Sequence, residues 1–190
     1  TAAAPILQAA QLAAENGPAL LAIDGRCGSG KSTLAEYLAG QLGCRVVHTD
    51  DFYLPIAARC ANWQEQPGAN MDFIRLRNEV LQPLLRGETA LYKAYSCAAG
   101  AFLPSKPVAA APLTILEGSY SLHPALQTEF AVRVFVTCPP DVQEARLQAR
   151  EGIRYANFVQ RWIPLEEGYF AAHDPAARCN FVLDTAEIFV

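Results

Sequence analysis

The sequence predicts an α/β fold with a five-stranded parallel sheet and helices on both of its faces. Short apolar runs alternate along the chain with longer segments of helical character, and three of the five runs are rich in β-branched residues. The runs have the length of buried strands, and the segments between them are long enough to act as crossover connections. The predicted strands lie at 19–23, 45–47, 113–116, 132–136 and 181–183, and the predicted helices at about 5–15, 31–42, 72–86, 140–151 and 157–172.

The length and composition fit a single compact domain spanning residues 1–190. The chain is 52% hydrophobic and 18% charged, which supplies enough apolar material for a core. Its net charge is -4 and it has no basic run, so neither nucleic acid nor an anionic membrane is an expected partner. Because no apolar stretch approaches the roughly 18 residues of a membrane span and the Ala-rich start lacks a charged leader region, a cytoplasmic protein is expected.

The strongest motif is the run from Gly25 to Ser32, which matches G-x-x-x-x-G-K-[ST] in full. It follows the first predicted strand and opens a helix, so its backbone N–H groups and the helix N-terminus can hold phosphate oxygens. Lys31 is expected to reach the β- and γ-phosphates and to act in catalysis, and Ser32 to bind Mg²⁺. The predicted nucleotide-binding residues are Gly25, Arg26, Cys27, Gly28, Ser29, Gly30, Lys31, Ser32 and Thr33.

Two acidic residues follow predicted strands at the edge where open α/β sheets bind ligands. Asp50, in the run from His48 to Tyr53, is the candidate base that accepts a hydroxyl proton during phosphoryl transfer. Glu117, directly after the third strand, is the candidate acid for Mg²⁺ or its water shell. The same positions also fit a helix cap for Asp50 and a turn cap for Glu117.

A short lid is predicted at about 146–157, after the fourth strand. Arg146 and Arg150 are one helical turn apart on one face, and they are followed by Gly152 and Arg154. Guanidinium groups on a mobile segment can stabilise the oxygens of a transferring phosphoryl group, and closure of the segment excludes water. Arginines at this spacing also fit a solvated helix face.

These features together resemble the uridine kinase and phosphoribulokinase-like group of P-loop kinases. The likeness rests on the phosphate loop, the D-D-F-Y run that begins at Asp50, the E-G pair at Glu117 and the paired arginines of the lid. The resemblance implies a P-loop NTPase fold, ATP as the phosphoryl donor, Asp50 as the general base and Glu117 near Mg²⁺.

Two further matches concern the acceptor. The N-M-D run that ends at Asp72 resembles the N-F-D element with which uridine kinases hold ribose hydroxyls, and Tyr95 resembles the tyrosine of their Y-D-F element. The resemblance therefore implies a nucleoside acceptor, with Asp50, Tyr53, Asp72, Tyr95 and Arg154 as substrate-binding residues. The sequence departs from the pattern after two of them, with Phe-Ile in place of His-Pro and Ser-Cys in place of Asp-Phe. Asp72 also fits a residue that complements a helix N-terminus.

Three functions are compatible with the sequence. The first is a kinase that acts on a hydroxyl of a small molecule, and the second is a kinase of a nucleotide or coenzyme precursor, of the pantothenate or nicotinamide riboside type. A basic acceptor pocket would favour a phosphorylated acceptor. The third is a non-catalytic NTP-binding regulator, which would leave Asp50 without a purpose.

The sequence leaves open whether a homodimer forms and what Asp51, Trp63 and Arg161 do.

Overall fold

The computed structural model describes residues 2–186 and contains a central sheet of five parallel strands. In this part of the chain the strands are β1 (Ala19–Gly25), β2 (Arg45–His48), β3 (Ala90–Tyr92), β4 (Tyr95–Ser96), β5 (Ala101–Phe102), β6 (Lys106–Val108), β7 (Leu113–Glu117), β8 (Val132–Thr137) and β9 (Phe181–Asp184). The central sheet has the order β2-β7-β1-β8-β9, and every pairing in it is parallel. Each predicted strand is present to within two residues, so the predicted fold class is confirmed.

Helices cover both faces of this sheet. They are α1 (Ala4–Glu15), α2 (Lys31–Leu42), α3 (73–85), α4 (Pro140–Glu151) and α5 (155–173). Successive residues of β1 enter opposite core layers: Leu21 and Ile23 pack with α1 and α2, whereas Leu20 and Ala22 pack with α3 and with Tyr169 of α5. None of the helices in residues 2–186 has the length and apolarity needed to cross a membrane.

Both α3 and α5 contain a wider, π-type turn. The turn occupies Leu76–Leu81 in α3 and Phe158–Trp162 in α5, and each is followed by a proline, Pro83 or Pro164. Because proline has no N–H and its ring displaces the carbonyl four residues earlier, the helix cannot keep its regular hydrogen bonds there. Such turns often occur at functional sites.

The segment from Tyr92 to Pro112 is more ordered than its composition predicts. Within it β4 pairs with β5, and β6 pairs with β3 at its start, both antiparallel. The prediction of a plain loop was wrong here, because strands of two or three residues are too short to show a period in the sequence. The other predicted loop, about 54–70, is irregular as expected, with two short turns at Ile56–Ala58 and Trp63–Glu65.

Candidate active site

The phosphate loop connects β1 to α2, as its motif predicts. Gly25 has a φ of 138°, and a Cβ at this position would lie 1.9 Å from the Val136 carbonyl oxygen, so only glycine fits. The Lys31 ammonium crosses the loop and donates to the carbonyls of Gly25 and Arg26, at 2.9 Å each. Lys31 is therefore held inside the loop, where it can exchange these carbonyls for phosphate oxygens.

Two adjacent glutamates of α5, which no motif marks, fasten one side of the loop. Glu166 is buried, and its carboxylate accepts the Cys27 N–H at 2.9 Å and the Ser119 hydroxyl. Glu167 forms an ion pair with the Arg26 side chain, while the Arg26 N–H donates to the β8 backbone. Arg26 and Cys27 were predicted to contact nucleotide, but in this structure their donors have protein partners.

Five of the other predicted loop donors remain available, whereas the N–H groups of Gly25 and Ser29 donate to the Asp24 carboxylate and the Arg26 carbonyl. The N–H groups of these residues have no hydrogen-bond partner within residues 2–186: Gly28, Gly30, Lys31, Ser32 and Thr33. Three of them belong to the first turn of α2, whose N–H groups point out of the helix end. A polyphosphate would therefore meet both oriented N–H groups and the positive end of the helix.

A buried carboxylate, Asp24, immediately precedes the loop. One of its oxygens accepts the Gly25 N–H at 2.7 Å, and the other accepts the Leu122 N–H at 3.0 Å and the Tyr169 hydroxyl at 2.8 Å. Burial raises the pKa of Asp24 to about 6, since the loss of hydration penalises the charged form more than these hydrogen bonds favour it. Asp24 thus joins the loop, the segment after β7 and α5 in one network.

The raised pKa of Asp24 predicts a pH-dependent contribution to the free energy of unfolding. The stabilising effect of its protonated form is complete below about pH 4 and is lost as the pH rises through about 6, because the folded protein must then bury a charge. The Asp24→Asn variant has no titratable side chain at this position. Relative to this variant, the free energy of unfolding of the wild type should fall by up to about 3 kcal/mol between acid and neutral pH.

Urea denaturation of both proteins across this pH range measures the difference. Glu36→Gln, at an exposed position of α2, serves as the control and should follow the wild type. A wild-type stability, relative to Asp24→Asn, that stays constant or grows with pH would contradict the prediction.

Ser32, Glu117 and His48 meet beside the start of α2. The Ser32 hydroxyl donates to one oxygen of the buried Glu117 at 3.1 Å, and His48 Nδ1 lies 2.7 Å from the other. The hydrogen bond to Glu117 raises the pKa of His48. Gly118 has a φ of 135°, and a Cβ there would lie 2.0 Å from the Thr49 hydroxyl oxygen, so this turn also requires glycine. The structure brings the two predicted metal ligands together and adds His48, which was not predicted.

Asp50 stands at the same edge of the sheet. It follows β2, whose last residue, His48, is paired with Glu117 of β7. The Tyr53 hydroxyl donates to Asp50 Oδ1 at 2.8 Å. One side of the carboxylate is open to solvent, but the protein around the other side displaces water and raises the pKa of Asp50, and the charge of Glu117 raises it further.

Asp51, whose role the sequence leaves open, has a structural role. Its Oδ2 accepts the Tyr92 hydroxyl at 2.6 Å and the Lys106 ammonium at 2.7 Å. These contacts fasten the turn after β2 to the β3–β6 pair. Asp50 and Asp51 are therefore neighbours in sequence with different surroundings.

Comparison with solved structures decides the fold family. A protein named a possible uridine kinase, from Bacillus stearothermophilus, superposes with a TM-score of 0.69 at 20% identity, over 95% of this chain and 100% of that one. A protein provisionally named a fructose transport system kinase, from Silicibacter, gives 0.64 at 22% identity, over 96% and 98%. A D-glycerate 3-kinase from Cryptococcus neoformans gives 0.59 at 15% identity, over 86% of each chain. The chain shares the P-loop NTPase fold of these proteins. No protein-family model matches the sequence.

Two of the residues predicted to bind the acceptor, Asp72 and Tyr95, have partners within the protein. Asp72 caps α3, since its Oδ1 accepts the Arg75 N–H at 3.1 Å, so the helix N-terminal alternative describes its position. Its own N–H donates to the Phe52 carbonyl at 2.7 Å, which keeps it beside the turn that carries the candidate base. Tyr95 is buried in β4 against the edge of Phe102.

The three arginines of the predicted lid, Arg146, Arg150 and Arg154, lie in different environments. Arg146 donates to the Thr185 hydroxyl and carbonyl at 2.9 and 2.8 Å, and that hydroxyl in turn donates to a carbonyl of the phosphate loop. Arg150 and Arg154 instead pair with Glu151, at 2.8 and 3.2 Å. Arg146 is thus linked to the loop, whereas the other two would have to leave Glu151 to reach a phosphate.

Proposed function

We propose that this protein is a magnesium-dependent kinase that transfers the γ-phosphoryl group of ATP to a hydroxyl of a small molecule. The observation that carries the proposal is the position of Asp50 at the sheet edge that also holds the Ser32–Glu117 pair and the phosphate loop. A protein that only binds nucleotide needs no carboxylate there. Phosphoryl transfer to an alcohol does, because a base must accept the proton and orient the oxygen.

The residues present fit Mg²⁺. Ser32 and Glu117 offer two oxygen donors already in contact, and magnesium prefers oxygen ligands. Within residues 2–186 there is no group of three or more His, Cys, Asp or Glu side chains placed to hold a metal. Magnesium in kinases typically takes one or two protein ligands, with phosphates and water completing the shell, and bound there it would neutralise charge on the β- and γ-phosphates.

The chain's own residues supply the rest of the reaction. Asp50 accepts the hydroxyl proton as the acceptor oxygen bonds to the γ-phosphorus and the bond from that phosphorus to the β–γ bridging oxygen breaks, leaving ADP. The Tyr53 hydroxyl, bonded to one carboxylate oxygen, leaves the other to face the acceptor. Lys31 and the free N–H groups of the loop hold the transferring and leaving oxygens, and Arg146, with Arg150 after release from Glu151, adds positive charge from the lid.

The acceptor is proposed in two versions. A nucleoside is supported by the resemblance to uridine kinases and by Asp72, which lies next to the turn of Asp50. A nucleotide or an acidic coenzyme precursor is supported by Arg59, which lies near Tyr53, and by Arg161, which lies with Arg59 beside Trp63. A non-catalytic regulator is the remaining alternative.

The deciding experiment measures ADP release from Mg·ATP in the presence of nucleosides, nucleotides, vitamins and sugars, with Asp50→Asn in parallel. A compound that accelerates ADP release only in the wild type supports the kinase and names the acceptor. ATP binding without acceleration by any compound would favour the regulator.

The proposed metal role predicts an altered magnesium requirement in Glu117→Gln. The amide keeps the size of the side chain but loses the charge, so the concentration of Mg²⁺ at half-maximal velocity should rise about 10-fold or more, while the velocity at saturating Mg²⁺ recovers part of the loss. Magnesium titrations at constant free ATP measure it, with His48→Gln as a comparison that removes only the contact to Glu117. An unchanged magnesium requirement would remove Glu117 from the metal site.

A further inference from the structure

The only two tryptophans of the sequence, Trp63 and Trp162, lie together with two arginines. The indole centroids are 6.1 Å apart. Arg59 Cζ lies 4.8 Å from the Trp63 ring, and Arg161 Cζ lies 5.7 Å from Trp63 and 5.8 Å from Trp162. We call these four residues the tryptophan–arginine cluster. It joins the irregular 54–70 segment to the wide turn of α5.

Arg59 connects this cluster to the candidate base. Its Cζ lies 6.0 Å from the ring of Tyr53, whose hydroxyl holds Asp50. Its Nε donates to the Leu54 carbonyl at 2.9 Å, and one Nη lies 3.5 Å from Cys97 Sγ, two residues beyond Tyr95. A single aromatic ring therefore separates the Arg59 guanidinium from the group that would receive the acceptor proton.

Arg59 and Arg161 are the two arginines of residues 2–186 that lie over aromatic rings without a carboxylate partner, whereas Arg26, Arg75 and Arg150 each have one. Within residues 2–186 no carboxylate lies within ion-pair distance of Arg59 or Arg161. Arg75, which also stacks on aromatic rings, pairs with Glu79 at 2.9 Å and shows the contrast. The chain as a whole is acidic, yet this aromatic surface carries two guanidinium groups that have no ion-pair partner within residues 2–186.

Such an arrangement suits an anion. A guanidinium beside an indole can still offer its free N–H groups to the paired oxygens of a phosphate or a carboxylate. The hydrogen bond to Leu54 fixes Arg59 before any ligand binds, so less side-chain entropy is lost on binding.

We propose that the tryptophan–arginine cluster binds an anionic group, a phosphate or a carboxylate, of the acceptor whose hydroxyl loses its proton to Asp50. This inference rests on the proposed kinase function and deepens it by naming the class of acceptor. It favours a nucleotide or an acidic precursor over an uncharged nucleoside.

Tryptophan fluorescence tests the anion site without any phosphoryl transfer, because the chain has no tryptophan outside the cluster. The protein is saturated with Mg·ADP, so that its phosphate loop is filled, and is titrated with inorganic phosphate, acetate or uncharged glycerol at constant ionic strength. A saturable change is expected with an anion and not with glycerol. A response to phosphate alone indicates a phosphorylated acceptor, and a response to acetate indicates a carboxylate.

Matched variants show whether the arginines are responsible. In the double variant Arg59→Gln/Arg161→Gln the affinity for the anion, measured by the fluorescence titration, should fall about 10-fold or more. This is the scale of lost charge-assisted hydrogen bonds. Arg45 is an exposed arginine at the start of β2, at the amino ends of the strands and away from the candidate site. Arg45→Gln therefore removes the same kind of charge elsewhere and should behave as the wild type. No saturable response in the wild type, or an equal response in the double variant, would overturn the proposal.

Acceptor pairs link the site to catalysis. Uridine against its 3′-monophosphate, which keeps the 5′-hydroxyl free, and pantothenol against pantothenate, differ mainly in the anionic group. The anionic member should be the better acceptor in the wild type, and its KM should rise about 10-fold or more in the double variant. Anion binding with no acceptor phosphorylated would mean that the kinase proposal fails while the anion site stands. Equal phosphorylation of both members of a pair would mean that the kinase proposal stands while the anion site fails.

Discussion

The Asp50→Asn variant should bind ATP as tightly as the wild type and transfer its phosphoryl group at least about 10²-fold more slowly. The amide keeps the size of the side chain and still accepts the Tyr53 hydroxyl, so the local geometry survives. It cannot take up the proton of the acceptor. Kinetic analysis with the best acceptor gives the loss in kcat, and the Kd for Mg·ATP is measured separately by calorimetry.

Asp51→Asn is the matched control for Asp50. Asp51 is one residue away but accepts the Lys106 ammonium and the Tyr92 hydroxyl, so its substitution should lower the free energy of unfolding and change kcat much less. Equal losses of kcat in the two variants, or a weakened Kd for ATP in Asp50→Asn, would show that Asp50 is a structural residue.

The pH profile adds a second, independent readout of Asp50. A general base must be ionised, so kcat/KM should fall as the pH is lowered through its pKa. Because burial and the charge of Glu117 raise the pKa of Asp50, this acid limb should begin at a higher pH than an ordinary aspartate would give. The limb should be absent from the residual activity of Asp50→Asn.

The fold was predictable because its signals are local and repeat. The five apolar runs lie in the central sheet, and its three inner strands, β1, β7 and β8, are almost entirely buried and read as continuous apolar sequence. The short pairs β3–β6 and β4–β5 carry no comparable signal. Their strands contain two or three residues, and contacts such as Lys106 to Asp51 that hold them come from distant parts of the chain.

The candidate site could be proposed from the sequence only where a motif or a strand end marks its residues. The phosphate loop has such a motif, and Asp50 and Glu117 stand at strand ends, where the parallel sheet brings them to one edge. Glu166 and Arg59 have no such mark. Glu166 reaches Cys27 across 139 positions of sequence, and the unpaired state of Arg59 depends on which carboxylates the fold leaves out of its reach.

The Lys31→Ala variant should lose most of its ability to use ATP. We expect kcat/KM for ATP to fall at least about 10²- to 10³-fold, the scale of removing one preorganised charge from a phosphoryl-transfer site. Lys31 is buried and held inside the loop by the carbonyls of Gly25 and Arg26, and the other cation of the loop, Arg26, is paired with Glu167. Steady-state kinetics and the Kd for Mg·ATP together measure the effect.

The comparison with Asp50→Asn makes the Lys31 result informative. Lys31→Ala should weaken ATP binding as well as transfer, whereas Asp50→Asn should affect transfer alone, because Lys31 is proposed to contact the donor and Asp50 the acceptor. Lys93→Ala, at an exposed position between β3 and β4, controls for the loss of a lysine. Circular dichroism and thermal unfolding must show that Lys31→Ala is folded, and a folded variant that binds and uses ATP normally would mean that this loop does not hold the donor phosphates.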